Sequence, residues 1–233
     1  SRRDGYEVIE NWIVKQPWSN GKVGIVGHSW PGLMGFLVAA TAPPSVAAVC
    51  VSGLTDDFYR GICRMGGVPN VGFPVAWLNS YYRPDGPFGS GASARLFRGV
   101  EESEYRALLA GRPPHRYEDD MLWLLLREPL DGPGWQRRSL YTHAPNVRAP
   151  ILIGHDYQDE QTGPSGWRLW KRIPDSVPKR LVVSNGPHQV HRFLGPEIDA
   201  WFDRWLLGKA SPPVPDRQPR VRIHFMTRVD PDS

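Results

Sequence analysis

The chain has 233 residues, of which 40% are hydrophobic and 22% are charged, and these are ordinary proportions for a globular protein. Its formal net charge is only +4 and its arginines are scattered along the sequence, so the composition disfavours a nucleic-acid-binding protein. No segment approaches the roughly 18 consecutive apolar residues that a membrane-spanning helix needs.

The start of the chain alternates between helical and strand patterns. Asp4 and Glu7 have the spacing of a capping box, with Asp4 as the N-cap of a predicted helix. Short apolar runs at residues 23–26 and 46–52 predict two buried strands, and the apolar segment between them predicts a helix over about residues 31–41. This alternation predicts a parallel sheet covered by helices on both faces.

Residues 53–149 interrupt this alternation, and we predict that they form a mostly helical cap inserted into the sheet domain. Helical patterns cover residues 101–109 and 117–127. The segment is also rich in aromatic side chains, which we expect either to wall a substrate pocket or to pack in the protein core. These side chains are Trp77, Tyr81, Tyr82 and Trp123.

The alternation of strands and helices resumes after the insertion. The predicted elements are a strand at 150–154, a helix at 165–172, a strand at 180–184 and an amphipathic helix at 195–207. A proline-rich linker follows at 211–215, and the alternating pattern of residues 221–225 predicts the first strand of a further β domain.

A candidate nucleophile lies between the first predicted strand and the helix that follows it. The sequence GHSWPG, residues 27–32, places Ser29 in the strand-turn-helix context of a nucleophile elbow. The helix N-terminus favours developing negative charge, and the backbone N–H of Trp30 is a candidate oxyanion donor. The alternative is that Ser29 only caps the helix. We expect His28 to be structural, because adjacent side chains on such a turn point apart.

A serine nucleophile needs a histidine to take its proton and a carboxylate to orient that histidine. In a fold with this elbow the acid and then the histidine follow the serine, each in a loop after a strand. Three carboxylates follow the third predicted strand and compete for the acid role: Asp156, Asp159 and Glu160. After the fourth strand, His188 and His191 compete for the role of base.

A metal site built from His188 and His191 with these acids is an alternative interpretation. It lacks the helix and the intervening glutamate of known zinc patterns. We therefore expect neither a metal nor a cofactor.

Four segments resemble one family. They are DGYEVIENWIVKQPWSNGKVGIVGHSWPG at 4–32, DFYR at 57–60 with the glycine pair 66–67, DEQTG at 159–163 and LVVSNGPH at 181–188. These segments resemble the X-Pro dipeptidyl-peptidases and the cocaine-esterase-like acyl hydrolases, the CocE/NonD family of α/β-hydrolases. The resemblance covers about residues 1–226 and is weakest in the predicted cap.

The resemblance implies a catalytic triad of Ser29, Asp159 and His188, with the backbone N–H of Trp30 as one oxyanion donor. The family's second donor is a tyrosine hydroxyl well before the elbow, and no counterpart can be assigned in this sequence. The family also has a C-terminal jelly-roll domain, of which residues 220–226 would form the first strand.

The expected fold is an α/β-hydrolase in four parts. Residues 1–52 and 150–209 form the core, residues 53–149 form the helical cap, and residues 210–233 form the linker and the first strand of a jelly-roll domain. Only about 22 residues precede the nucleophile strand, whereas this fold normally has several strands there. We therefore expect that the chain is truncated at both ends and lacks the N-terminal strands.

The expected activity is hydrolysis of an acyl ester, amide or small peptide through a covalent acyl-enzyme. Gln161 and Thr162 stand where the amino-acid ester hydrolase branch carries further carboxylates, which argues against an α-amino recognition site of that design. The alternatives are an X-Pro dipeptidyl-peptidase acting on peptides and a catalytically inactive binding protein with a hydrolase fold. The expected partner is a small-molecule substrate, without nucleic acid or membrane.

Overall fold

The computed structural model describes residues 2–74, 77, 124–125, 127–190 and 194–209. Within these residues, parallel strands form one sheet in the order β1-β2-β3-β4. The strands are β1 (Val23–His28), β2 (Val46–Ser52), β3 (Ile151–Asp156) and β4 (Lys179–Ser184). All four predicted strands are confirmed, and β1 and β3 continue beyond their predicted ends at residues 26 and 154. Because the strands are parallel, their C-terminal ends lie along one edge of the sheet.

Helices and tight turns connect these strands. The α-helices of the described residues are α1 (Arg2–Glu7), α2 (Trp30–Ala39), α3 (Pro133–Gln136), α4 (Leu140–His143), α5 (Arg168–Arg172) and α6 (Gly195–Trp205). The π-helical segments are Val8–Trp12 and Phe58–Cys63, and the 3₁₀ turns are Ile13–Lys15, Met65–Gly67 and Ala144–Asn146. Helix α5 begins later than predicted, because residues 164–167 form turns.

Both faces of the sheet are covered, as the sequence alternation predicts. Val49 and Val51 of β2 belong to the larger core cluster, together with Phe36 of α2. Cys50 lies between these two valines, and it packs with Leu152 in a second cluster that α6 covers. The sheet with helices on both faces is the α/β architecture that the sequence predicts.

The start of helix α1 differs from the prediction. The helix begins at Arg2, so Asp4 lies inside its first turn and is not an N-cap. Arg3 and Glu7 form an i,i+4 ion pair (2.9 Å) that favours helix over these residues. The carboxylate of Asp4 still lies near the positive end of the helix dipole, but the capping-box prediction is wrong.

The two ends of the predicted cap insertion pack into the same core as the sheet. Phe58 is 6% exposed and Trp135 is fully buried, and both belong to the larger cluster. Residues 78–123, with Tyr81, Tyr82, Trp123 and the predicted helix 101–109, lie outside the described residues, as do residues 210–233. Among the described residues, none of the helices has the length and hydrophobicity of a membrane-spanning segment.

Candidate active site

Ser29 lies between β1 and α2, and its backbone is strained. Its φ of 60° and ψ of −130° fall in a region that L-residues rarely occupy. Its N–H donates to the carbonyl of Ser52 (2.9 Å), and its own carbonyl accepts from the N–H of Leu33 (2.8 Å). The Ser29 side chain makes no capping hydrogen bond, so the turn does not use the hydroxyl as an N-cap.

The glycines on either side of Ser29 allow the turn to close. A Cβ at Gly27 would lie 2.5 Å from the carbonyl oxygen of Pro31, and one at Gly32 would lie 2.6 Å from that of Ser52. Both contacts are with backbone atoms, which cannot move aside without opening the turn. The spacing of the two glycines around Ser29 therefore has a steric cause.

Trp30 provides a backbone donor next to the Ser29 hydroxyl. It is the first residue of α2, and the N–H groups in the first turn of a helix have no intrahelical acceptor. Pro31 follows at a position where the missing N–H costs no helical hydrogen bond. The Trp30 N–H therefore lies at the positive end of the helix dipole, where an anionic oxygen is stabilised.

The carboxylate of Asp159, in the loop after β3, accepts four hydrogen bonds. Its Oδ1 accepts from the N–H groups of Gln161 (2.9 Å) and Thr162 (2.7 Å). Its Oδ2 accepts from the hydroxyl of Thr162 (2.6 Å) and from Nδ1 of His188 (2.7 Å). Burial alone would raise the pKa of Asp159, but the hydrogen bonds from His188 and Thr162 outweigh it and hold the pKa below its ordinary value.

The ring of His188 lies beside the elbow. Its centroid is 4.5 Å from that of His28, the residue before Ser29, and a Cβ at Gly53 would lie 2.7 Å from its Cε1. Among the described residues its buried Nε2 has no hydrogen-bond partner, so Ser29 Oγ is not bonded to it here. That contact is often loose in free enzymes. Since Nδ1 bonds to Asp159, Nε2 is the nitrogen left to take a proton.

The two carboxylates that compete with Asp159 bind backbone N–H groups at residues 188–190, in the loop that follows β4 and carries His188. Glu160 accepts from the N–H of His188 (3.1 Å). Asp156, the last residue of β3, accepts from the N–H groups of Gln189 and Val190. Burial raises the pKa of Asp156 above its ordinary value. The hydrogen bond to the imidazole itself comes from Asp159.

An open cleft lies at the elbow. Besides Ser29, Trp30 and Thr162, its lining is mostly apolar and includes Leu33, Phe58, Ile62, Phe73, Pro74 and Trp77. The ring centroids of Trp30 and Trp77 are 5.6 Å apart, so Trp77 both lines the cleft and packs against the elbow. Cys63 also lines the cleft, and burial raises the pKa of its thiol to about 12, which keeps it neutral.

His191, the other candidate for the base, lies outside the described residues. Among the described side chains, no group of three or more His, Cys, Asp or Glu is placed to hold a metal ion.

Two residues join the site without having been predicted. Thr162 contacts Asp159 through both its N–H and its hydroxyl, and its position three residues after an aspartate was an available signal for such a turn. His28 contacts His188 through its ring, and its Nδ1 lies 2.9 Å from Ser52 Oγ. No local pattern reveals that contact, because it joins distant parts of the chain.

Comparison with known proteins identifies the family of the chain. Residues 1–190 match the family described as X-Pro dipeptidyl-peptidase (S15 family). The chain is 30% identical over 221 residues to the Xaa-Pro dipeptidyl-peptidase of Streptococcus gordonii, covering 86% of this chain and 26% of that protein. It is 26% identical over 249 residues to the cocaine esterase of a Rhodococcus species, covering 93% of this chain and 42% of that protein. The chain therefore spans less than half the length of these relatives.

Solved structures show the same fold. A CocE/NonD family hydrolase from Staphylococcus aureus superposes with a TM-score of 0.69 at 21% identity, covering 96% of this chain and 36% of that one. An aminopeptidase from a Thaumarchaeota archaeon gives a TM-score of 0.59 at 18% identity, covering 91% and 39%. The predicted α/β-hydrolase fold and the predicted family are both confirmed: the chain belongs to the X-Pro dipeptidyl-peptidase (S15) family.

Proposed function

We propose that this chain carries the catalytic site of a serine hydrolase that cleaves an acyl ester or amide through a covalent acyl-enzyme. The observation that carries the proposal is the buried hydrogen bond between Asp159 and His188 (2.7 Å), beside the strained elbow of Ser29. Each of the three residues follows a different strand, and the parallel sheet brings those strand ends to one edge. Nucleophile, base and orienting acid are the parts of a Ser-His-Asp triad.

The first half of the proposed reaction forms the acyl-enzyme. Ser29 Oγ bonds to the carbonyl carbon of the substrate while His188 Nε2 takes the hydroxyl proton. The bond to the leaving group then breaks, and His188 returns the proton to that group. A water molecule repeats the two steps on the acyl-enzyme, which releases the acid and restores Ser29. Asp159 remains ionised and stabilises the imidazolium, and its lowered pKa suits this role.

The Trp30 N–H is the proposed donor to the anionic oxygen of the tetrahedral intermediate. It belongs to the residue directly after the nucleophile, which is where α/β-hydrolases place one such donor. Because the donor is already held by helix α2, it needs no rearrangement when charge develops on the oxygen.

The cleft beside Ser29 suits the acyl part of a substrate. Leu33, Phe73 and Trp77 contribute apolar surface to its wall. An apolar acyl group that leaves water for this surface gains roughly 25 cal/mol per Å² that it buries. We therefore expect esters and amides with an uncharged, largely hydrocarbon acyl group to be the better substrates.

Substitution of Ser29 tests the proposed function. Ser29→Ala in the intact protein should lower kcat for p-nitrophenyl ester hydrolysis by roughly 10⁴–10⁶, since triad members act as a unit. Ser176→Ala is a matched control, because Ser176 lies on an exposed turn, and it should leave kcat unchanged. Hydrolysis by Ser29→Ala at a near wild-type rate would remove the basis of the proposal.

The second candidate function is an X-Pro dipeptidyl-peptidase, which the family match favours. Such an enzyme needs a site for the free amine of its peptide substrate. The described residues that line the cleft carry no charged side chain, so we rank this function second. Parallel assays with p-nitrophenyl esters and Xaa-Pro-p-nitroanilides separate the two candidates, and faster cleavage of the anilides would reverse the ranking.

A further inference from the structure

The carboxyl group of Asp156 binds the loop that carries His188 from both sides. Its Oδ2 accepts from the N–H groups of Gln189 (3.0 Å) and Val190 (2.7 Å), which directly follow the histidine. Its Oδ1 accepts from the hydroxyl of Ser184, which ends β4 before the loop begins. Asp156 is fully buried, so water does not substitute for these contacts.

The end of this loop is buried as well. Val190 is fully buried in the cluster on the α6 face of the sheet, beside Leu152 and Leu194. If the Asp156 carboxyl is removed, the buried N–H of Val190 loses the acceptor that it has in this structure, and an unsatisfied buried donor is costly. We expect the loop to move until that N–H finds another partner. The residues that would move are the immediate neighbours of His188.

We propose that Asp156 is a positioning residue for His188: it holds the backbone after the histidine so that the imidazole stays between Asp159 and Ser29. This inference rests on the proposed function and deepens it. Asp156 does not touch the reacting atoms, and its effect passes through the loop. The two neighbouring carboxylates therefore have different roles. Asp159 accepts a hydrogen bond from the imidazole ring, and Asp156 accepts hydrogen bonds from the backbone that follows His188.

An asparagine can replace Asp156 in this role. Its carbonyl oxygen can accept from Gln189 and Val190, and its amide nitrogen then faces Ser184, whose hydroxyl can rotate from donating to accepting. A protonated carboxyl group would present the same pattern, and burial raises the pKa of Asp156 in that direction. An alanine has no acceptor at all.

The test compares these two substitutions in the intact protein, with an ester substrate and separate measurement of kcat and KM. Asp156→Ala should lower kcat by about 10–100-fold, since a misplacement of about 1 Å can cost about 10²-fold. KM should stay within about twofold, because Asp156 does not line the cleft. Asp156→Asn should restore most of the lost kcat. Equal losses in the two variants, an unchanged kcat in Asp156→Ala, or a change in KM alone would each overturn the proposal.

A second comparison answers the same question if Asp156→Ala does not fold. Ser184→Ala and Asp156→Asn should each have a small effect, but the double variant should lose more kcat than the product of the two, because the buried amide nitrogen then loses the acceptor that the Ser184 hydroxyl provides. Additive effects would overturn the proposal. Ser29→Ala separates this inference from the proposed function. If Ser29→Ala remains active the proposed function fails, whereas an inactive Ser29→Ala with a fully active Asp156→Ala defeats only the positioning role.

Discussion

The substitution Asp159→Asn should invert the hydrogen bonding of the proposed triad. The N–H groups of Gln161 and Thr162 can only donate, so an asparagine must keep its carbonyl oxygen towards them. Its amide nitrogen then takes the place of Oδ2 and faces His188 Nδ1 and the Thr162 hydroxyl. The hydroxyl can rotate and accept, but His188 Nδ1 must also accept, which moves the ring proton to Nε2.

The expected loss of kcat follows from this tautomer of His188. With a proton on Nε2, His188 cannot take the proton of Ser29, and loss of the correct tautomer in a Ser-His-Asp triad lowers kcat by about 10⁴-fold. At 1.36 kcal/mol for each factor of ten, the barrier rises by about 5.4 kcal/mol. KM should change little, because Asp159 lies behind His188 and does not line the cleft.

The assay is the initial rate of p-nitrophenyl ester hydrolysis by the intact protein at neutral pH. Asp175→Asn is the matched control, since it removes the same charge from a fully exposed side chain that pairs with Lys179, and it should leave kcat unchanged. If Asp159→Asn keeps kcat within tenfold of the wild type, the orientation argument is refuted. A larger loss in Asp156→Asn than in Asp159→Asn would show that the acid has been assigned to the wrong carboxylate.

The difference in stability between the wild type and Asp159→Asn should depend on pH. The pKa of Asp159 lies below its ordinary value of 3.8 in the folded protein, because the hydrogen bonds from His188 and Thr162 outweigh the opposing effect of burial. The carboxylate therefore contributes stability above that ordinary value, and the contribution is lost as the pH falls through the folded pKa. The difference in Tm between the wild type and Asp159→Asn should narrow from about pH 6 towards about pH 3. A constant difference would contradict the hydrogen bonds that Asp159 accepts from His188 and Thr162.

Three further substitutions probe the same site. His188→Ala should lower kcat by roughly 10⁴–10⁶, as expected for a triad member, and a mild effect in ester hydrolysis would exclude His188 as the base. Gly53→Ala combines a φ of +61° with a Cβ 2.7 Å from Cε1 of both His188 and His28. The two rings are in contact, so the substitution should displace His188 and lower kcat by about 10²-fold. Full activity would show that the site tolerates the shift. Thr162→Val keeps the side-chain volume but removes the hydrogen bond from the hydroxyl to Asp159. A hydrogen bond to a charged group contributes about 1.5 kcal/mol, so kcat should fall by about tenfold. A change in KM instead would indicate that Thr162 acts as part of the cleft wall.

The sequence predicted those parts of the fold that depend on local patterns. The buried strands and the helix after Ser29 follow from short apolar runs, and the need for glycine at position 27 follows from a local contact with Pro31. The start of α1 differs, because the capping pattern places Asp4 before the helix whereas Arg2 and Arg3 already belong to it.

The contacts that organise the site could not be predicted in the same way. Asp156 accepts a hydrogen bond from the backbone N–H of Val190, which lies 34 residues further along the chain. Almost every residue type has a backbone N–H group, so the sequence does not indicate which one binds Asp156. The ring contact between His28 and His188 likewise depends on how β1 and β4 are placed in the sheet. From the residues alone three carboxylates remained candidates for the acid, and the choice of Asp159 came from the family resemblance. Asp159 forms a hydrogen bond with His188 Nδ1, and its catalytic role stays a prediction that the variants test.

Covalent labelling is the most direct test of the central claim that Ser29 is an activated nucleophile. A fluorophosphonate probe applied to the intact protein should form one adduct, which peptide mass spectrometry should locate at Ser29 within the tryptic peptide 23–60. Ser29→Ala should abolish labelling, and Asp159→Asn should slow it strongly while the protein remains folded. Labelling at another residue, or the absence of an adduct on folded wild-type protein, would contradict the proposed serine hydrolase site.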